Sequence, residues 1–320
     1  HRAGVGVVVV AETGMTRVQH NNARGTCGRA LLQGLHGHDV LATDLHPING
    51  VAFERMDVTG DDPERVIGAF QPEIVVHLAS IVTPPKGSTR AFEWRVDVQG
   101  TRSVLQACVA HNVRRMVVTS SGAAYGYHAD NPVPLSETDP LRGNVEFPYA
   151  DHKRQVEEIL AQARSDHPAL EQVVLRIGTV LGEGVENQIT ALFRKKRLLA
   201  VAGSDSPFVF IWTQDLGRIL FRAATDGPAG VFNVAGDGAM TVRDLAQAMG
   251  KPVLTLPAAV LRGALGVARP LGLSRYGPEQ VGFLQYRPVL DNRALKEVFG
   301  YSPELTSAQV FDVWRDWAKP

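Results

Sequence analysis

Tyr149 and Lys153 stand four residues apart in Phe147-Pro148-Tyr149-Ala150-Asp151-His152-Lys153. On a helix that spacing puts both side chains on one face, one turn apart. Pro148 fits the first helical turn, where its missing N–H leaves no bond unmade. A phenol is a weak base near neutrality because its ordinary pKa is about 10. An adjacent ammonium stabilises the phenolate and lowers that value. Bringing it to ~7 requires roughly three pKa units, about 4 kcal/mol of differential stabilisation. Upstream, Thr119-Ser120-Ser121-Gly122-Ala123-Ala124-Tyr125-Gly126 follows an apolar run. A hydroxyl from Ser121 can hold an alcohol or carbonyl oxygen beside the phenol. The chemistry these residues suit is proton transfer coupled to hydride transfer at a carbinol carbon of a small-molecule substrate.

Such chemistry needs elements that bring a helix start to the end of a strand. Residues 39–44 read as a strand ending in Asp44, and residues 74–79, 115–120 and 172–177 as further strands. Residues 92–110 and 149–164 carry helical periodicity. Strands apolar on both faces, alternating with helices, imply a parallel sheet covered on both sides. Residues 208–211 and 231–234 are expected to continue that sheet. Thr241 to Met249 reads as a helix, with Thr241 as N-cap and Asp244 three residues on. Beyond Lys251 the chain is punctuated by Pro and Gly and reads as helical, with no strand.

Gly25-Thr26-Cys27-Gly28 opens a helical run and lets a pyrophosphate approach backbone N–H groups. Asp44 follows Gly28 by sixteen residues, a placement suited to accepting hydrogen bonds from adenosine ribose hydroxyls. A carboxylate there repels a 2′-phosphate, so NAD is expected rather than NADP. The strand before the Gly-rich turn has two readings. Arg17-Val18-Gln19-His20 has the right spacing to Asp44 and is favoured on that ground, with Asn21-Asn22 following it. The run from Val5 to Val10 makes the better strand, but leaves about ten extra residues between Thr13-Gly14 and Gly25.

The chain has 320 residues, 44% of them hydrophobic, enough for a large core. Lys+Arg and Asp+Glu both number 33, so chain-wide charge favours neither nucleic acid nor an anionic membrane as partner. No apolar run approaches the roughly 20 residues that span a bilayer. Cys27 and Cys108 form no C-x-x-C pair. A reduced, cytoplasmic protein is expected. His36-Gly37-His38 has weak metal-like spacing but no cluster of acidic or Cys partners around it, and reads as a turn after the first helix, so no metal is expected.

On these segments the chain resembles the extended short-chain dehydrogenase/reductase family, the NAD-dependent epimerase/dehydratases, from about Val18 to Trp317. The resemblance implies an α/β fold: a Rossmann-type, doubly wound parallel sheet with a smaller, mostly helical C-terminal substrate lobe. The expected division is residues 1–178 for the dinucleotide domain and 179–320 for the lobe, with 205–235 returning strands to the main sheet. Ser121, Tyr149 and Lys153 fall on catalytic positions. Gly25, Gly28, Asp44, Asp57, Val58, Leu78, Ala79, Tyr149 and Lys153 fall on cofactor positions. Asp57-Val58 is expected beside the adenine and His77-Leu78-Ala79-Ser80 beneath the cofactor. A homodimer through helices beginning near Ala91 and Tyr149 is also implied.

Several residues depart from the family pattern. Asp97 replaces the Asn of Asn-Val-x-Gly-Thr, and Thr179 stands where nucleotide-sugar members carry Asn. Gly122-Ala123-Ala124 follows Ser121 where dehydratases carry an acidic pair, so sugar dehydration is not expected. Dehydrogenation, ketone reduction and epimerisation share one half-reaction and remain open. A nucleotide-sugar 4-epimerase, or a binding-only relative with a degraded dinucleotide site, are the alternatives. Arg194-Lys195-Lys196-Arg197 reads as a solvated face. Trp212, with Phe208 and Phe210, either walls an apolar pocket or packs. His152 is expected to point away from the Tyr149–Lys153 face and is given no chemistry.

Overall fold

Short apolar runs build the sheet. β4 (Ile74–His77) is buried at every position, and β6 (Glu171–Ile177) at all but its first. Strands of this kind need cover on both faces. They are joined by β1 (Gly6–Val10), β2 (Asp39–Asp44), β3 (Ala52–Arg55), β5 (Arg115–Ser121) and β10 (Gly230–Val234). The computed structural model describes residues 6–10, 31–32, 34–35, 37–85, 87–273 and 277–319. The seven strands form one sheet in the order β10-β6-β5-β4-β1-β2-β3, and every pairing is parallel.

β1 settles the choice of first strand. Val7 to Val10 sit in register with Val40 to Thr43 on one side and Ile74 to His77 on the other. The reading favoured on spacing, Arg17-Val18-Gln19-His20, is thereby corrected; those residues lie outside the described ones. A central strand between helical layers takes β-branched residues. The GVVVV run supplies them, whereas Gln19 and His20 do not. Strand order reverses between β1 and β4, which opens a crevice at their carboxyl ends.

Side-chain alternation along the strands divides two cores. Val75, Met116, Val118 and Val174 face the helices Asp62–Phe70, Gly100–Ala110 and Pro148–Asp166, through Val66, Ile67, Val104, Val156 and Leu160. Their neighbours Ile74, Val76, Val117, Val173 and Leu175 face Leu31, Leu35, Phe299 and the helix Thr213–Ala224. Residue 178 is therefore no packing boundary, because later segments close one face of the main sheet.

The remaining strands are short. β7 (Thr179–Leu181) pairs with β9 (Phe210–Trp212), and β8 (Leu198–Val201) with β11 (Val253–Leu256). From residues 205–235 only β10 returns to the main sheet, beside β6. β9 does not continue that sheet as expected. β11 is a strand beyond Lys251, where none was expected. Phe193, Phe208, Phe210, Phe311 and Trp314 fill the core between these small sheets and the helix Ser307–Ala318. Phe208 and Phe210 stack at 5.8 Å inside this cluster, so their apolarity serves packing. Trp212 donates its indole N–H to Glu183. The helix Val242–Met249 starts as expected, with Thr241 and Asp244 forming a reciprocal capping box. The cluster from Arg194 to Arg197 is exposed, beyond the end of the Gln188–Phe193 helix.

Candidate active site

β5 ends at Ser121, whose side-chain oxygen accepts the Ala123 N–H at 3.1 Å. It thereby caps the tight turn Gly122–Tyr125. One lone pair is thus committed to the backbone, and the hydroxyl proton is left to point at another acceptor. Gly126 ends the turn at φ +79, where an added Cβ would lie 2.3 Å from the Arg142 carbonyl; only glycine fits there.

The helix Pro148–Asp166 begins immediately after extended Phe147, with Pro148 in its first turn. Tyr149 and Lys153 lie on it one turn apart. The Lys153 Nζ is 5.6 Å from the Tyr149 ring centroid and donates to the Thr119 carbonyl at 2.8 Å. Thr119 precedes Ser121 by two residues on β5. The ammonium therefore links the helix bearing the phenol to the strand bearing the hydroxyl, and its side chain is buried.

A second layer of buried polar groups fixes that arrangement. Glu157, one turn after Lys153, accepts from Arg176 Nε and Nη2 at 2.9 and 2.7 Å and from the Ser120 hydroxyl. Arg176 also donates to the Tyr125 oxygen at 2.7 Å. Burial pushes the Tyr125 phenol up to about 12 against the opposing charge of Arg176, so it stays protonated. It then donates to Asn233 on β10 at 2.9 Å.

The end of β4 carries another network. Thr101 spends its hydroxyl proton on the Asp97 carbonyl at 2.6 Å. His77 Nε2, 2.9 Å from that hydroxyl oxygen, must therefore carry the proton and donate. His77 Nδ1 and Ser80 Oγ are buried with no hydrogen-bond partner among the described residues. Asp97 sits in a π-helical turn, Arg95–Gln99. Its carboxylate accepts the Ile81 N–H at 2.7 Å and His152 Nδ1 at 2.9 Å. His152 is buried in this contact with Asp97, which the sequence reading did not foresee.

Of the residues expected at a dinucleotide, Gly25 and Gly28 lie outside the described residues. Asp44 ends β2, half-buried, and accepts the His46 N–H at 3.2 Å. Asp57 accepts both the Thr59 N–H and hydroxyl at 2.9 and 2.7 Å, which makes it a turn former. Val58 is buried against Gly100, where an added Cβ would come within 2.7 Å of it. Leu78 and Ala79 continue from β4 and are buried. Asp44, the segment from His77 to Ser80 and Ser121 thus lie at carboxyl ends of strands around the β1–β4 crevice, and Lys153 reaches the end of β5 through the Thr119 carbonyl. The orphaned Ser80 hydroxyl and His77 nitrogen leave polar atoms there for a ligand, so the described residues fit a dinucleotide.

An aromatic rim lies beside the start of the Pro148–Asp166 helix. Tyr127 packs edge-on to Phe147 at 5.1 Å and to Phe283 at 5.2 Å. The Arg287 guanidinium lies 3.8 Å from the Phe208 ring centroid and 5.0 Å from that of Phe283. It donates to the Ser206 carbonyl and hydroxyl at 2.7 and 3.0 Å. Burial holds it well below the usual guanidinium range, at about 9, with Tyr127 opposing. No described carboxylate lies within ion-pair distance, and its Nε has no partner among the described residues. Sequence reasoning missed Arg287 because its partners lie 81 positions away.

This fold and this set of side chains define a nucleotide-dependent α/β enzyme. The sequence model described as "NAD dependent epimerase/dehydratase family" matches residues 23–235, and the chain belongs to that family. It is accordingly an NAD-dependent enzyme. An uncharacterised protein of Mycobacterium tuberculosis is 24% identical over 269 residues, 84% of this chain and 72% of that protein. A sterol-4-alpha-carboxylate 3-dehydrogenase (decarboxylating) of Schizosaccharomyces pombe is 30% identical over 145 residues, 44% of this chain and 40% of that protein. The fold also matches the UDP-glucose 4-epimerase of Thermotoga maritima solved with UDP-glucose, at TM-score 0.74 and 19% identity, covering 98% of both chains.

The electrostatics give one prediction. Burial first, and the Lys153 charge second, lower His77 to about 3 from an ordinary value near 6.5. Between those values the unfolded chain binds a proton that the native chain does not, so stability falls as pH drops. Urea midpoints of the wild type are expected to decline across that window. His77→Gln should flatten the decline; an equally steep loss in the variant contradicts a neutral, buried His77.

Proposed function

We propose that the chain catalyses NAD-linked oxidation or reduction at a carbinol/carbonyl carbon, with Ser121, Tyr149 and Lys153 as its reacting groups. The observation that carries this reading is the Lys153 ammonium held between the Tyr149 ring and the Thr119 carbonyl. Ser121 donates its hydroxyl proton to the reacting oxygen and fixes its position. Tyr149 exchanges a proton with that same oxygen. Lys153 stabilises negative charge on the phenol oxygen while the proton is away. When bound, NAD supplies the hydride acceptor. Lys153 and Tyr149 would hold its nicotinamide ribose, Asp44 its adenosine ribose, and the segment containing Leu78 and Ala79 its underside. Asp57 and Val58 would flank the adenine, and the turn from Gly25 to Gly28 would receive the pyrophosphate.

A second reading concerns the substrate. Arg287 is a desolvated cation with no carboxylate partner among the described residues, at an aromatic rim. A substrate with an anionic group offsets that desolvation and gains charge-assisted hydrogen bonds. This favours a nucleotide sugar, and hence 4-epimerisation, as does the likeness to an epimerase solved with UDP-glucose. Thr179, in place of the Asn of such enzymes, weighs the other way.

The face formed by the Arg90–Trp94 and Pro148–Asp166 helices supports a homodimer. Phe92 and Trp94 are 39% and 37% exposed there, and Trp94 bridges to Gln155 at 2.9 Å.

Three measurements check these statements. Tyr149→Phe should lower NAD-linked turnover of a panel of secondary alcohols and UDP-sugars by about 10²–10⁴-fold, with calorimetric NAD affinity unchanged; near-normal turnover contradicts the assignment. UDP should raise the unfolding temperature of the wild type, and Arg287→Met should weaken its binding about 10–100-fold. A wild type indifferent to UDP removes the nucleotide-sugar reading. In sedimentation equilibrium Trp94→Glu should convert a dimer to a monomer, whereas a monomeric wild type overturns the dimer.

A further inference from the structure

Tyr127 carries a hydrogen-bond donor that the fold holds in place and leaves unused. Its backbone N–H donates to Asn144 Oδ1 at 2.7 Å. Its ring packs edge-on against both Phe147 and Phe283. Among the described residues no group hydrogen-bonds its phenol, and Arg287 is the charge that acts on it. Burial pushes the phenol up to about 12, so it keeps a proton to donate.

Arg287 is anchored in the same way, from one end only. Its backbone N–H donates to Ser206 Oγ at 3.2 Å, and its Nη1 to the Ser206 carbonyl and hydroxyl. Phe208 lies against the guanidinium plane at 3.8 Å. Tying residue 206 to residue 287 uses nothing else of the group. Nε is buried and has no partner among the described residues, and Nη2 makes no hydrogen bond to any of them. The Nε–Nη2 edge is a fork that matches two oxygens of a carboxylate or a phosphate. A donor edge withdrawn from water is unfavourable until an acceptor meets it.

The two donors belong to one surface. Ring contacts lead from Arg287 through Phe283 and Tyr127 to Phe147, two residues before Tyr149. Tyr127, Phe147, Phe283 and Arg287 are all half-buried, so a small molecule can reach them. We infer that Tyr127 and Arg287 together clamp an oxyanion of the substrate, a carboxylate or a phosphate, while its apolar or ring-bearing body lies along Phe283 and Phe147 toward Tyr149. A neutral alcohol would leave both donors unpaired in the complex, which is how a site rejects the wrong substrate. The rim therefore makes the protein selective for anionic carbinols over neutral ones. This rests on the carbinol reading for the position of the reacting carbon. To the contact which that reading gave Arg287 alone, it adds Tyr127 as second donor and two phenylalanines as wall.

Calorimetric titration of the full chain with matched pairs tests it: benzoate against benzamide, and UMP against uridine. In at least one pair the anion should bind about tenfold or more tighter, and which pair responds tells a carboxylate from a phosphate. Arg287→Met should weaken that anion about 10–100-fold, and Tyr127→Phe, which keeps the ring, about 3–10-fold. Neither should change the affinity of the neutral partner. Arg287→Lys should restore only part of the loss, because it returns the charge without the fork. Should Arg287→Met unfold at lower temperature, Tyr127→Phe carries the test by itself. Tyr149→Phe should bind the anion like the wild type, which separates this result from the fate of the catalytic reading. No binding in either pair, equal affinity for anion and neutral partner, or an anion preference that survives both Tyr127→Phe and Arg287→Met would each overturn the proposal.

Discussion

The bond from Lys153 to the Thr119 carbonyl is the contact on which the site depends. An ammonium taken out of water is costly unless polar partners replace its hydration. Here a strand carbonyl at 2.8 Å and an aromatic face at 5.6 Å do so. Both partners come from the elements that carry the other groups of the proposed site, Ser121 and Tyr149. Burying the amine thus fixes the helix against the strand, and Tyr149 and Ser121 are positioned as a consequence. His77, neutral through burial, adds no competing positive charge on the β4 side.

The same logic repeats one layer deeper. Glu157 follows Lys153 by one turn and is neutralised by Arg176 from β6. Arg176 in turn holds Tyr125, which reaches Asn233 on β10. Its members sit on different elements, so the network ties β5, β6, β10 and the Pro148–Asp166 helix into one unit. Removing a member would leave an uncompensated buried charge, which is why such networks rigidify a site. Asp97 links the segment after β4 to the Pro148–Asp166 helix through hydrogen bonds to Ile81 and His152.

Much of this was legible in the sequence where a local signal existed. β2, β5, β6 and the catalytic helix are marked by apolar runs, a terminal acid and Pro148, all within a few residues. The first strand was misplaced because spacing to Asp44 was given more weight than the β-branched composition of Gly6–Val10. β7, β8 and β11 span three or four residues each, too short for any periodicity to show. Residues 208–211 imitate a central strand because their phenylalanines fill an aromatic core. The Asp97–His152 contact joins residues 55 apart, and Arg287 meets Ser206 across 81. Nothing near any of these residues signals the partner.

The apolar helix Ala258–Ala268 shows a different limit. The sequence there reads only as helical, and the fold shows that Val260 and Val267 stand exposed among the described residues. Chain-wide charge of zero likewise hides the stretch from Leu245 to Pro278, where every charge is positive. Most direct for the account as a whole is a crystal structure of the protein with NAD. The nicotinamide ribose should lie within hydrogen-bond reach of the Lys153 ammonium and the Tyr149 hydroxyl, with the ring turned toward Ser121. A dinucleotide bound away from the β1–β4 crevice, or a ribose that touches neither side chain, would contradict it.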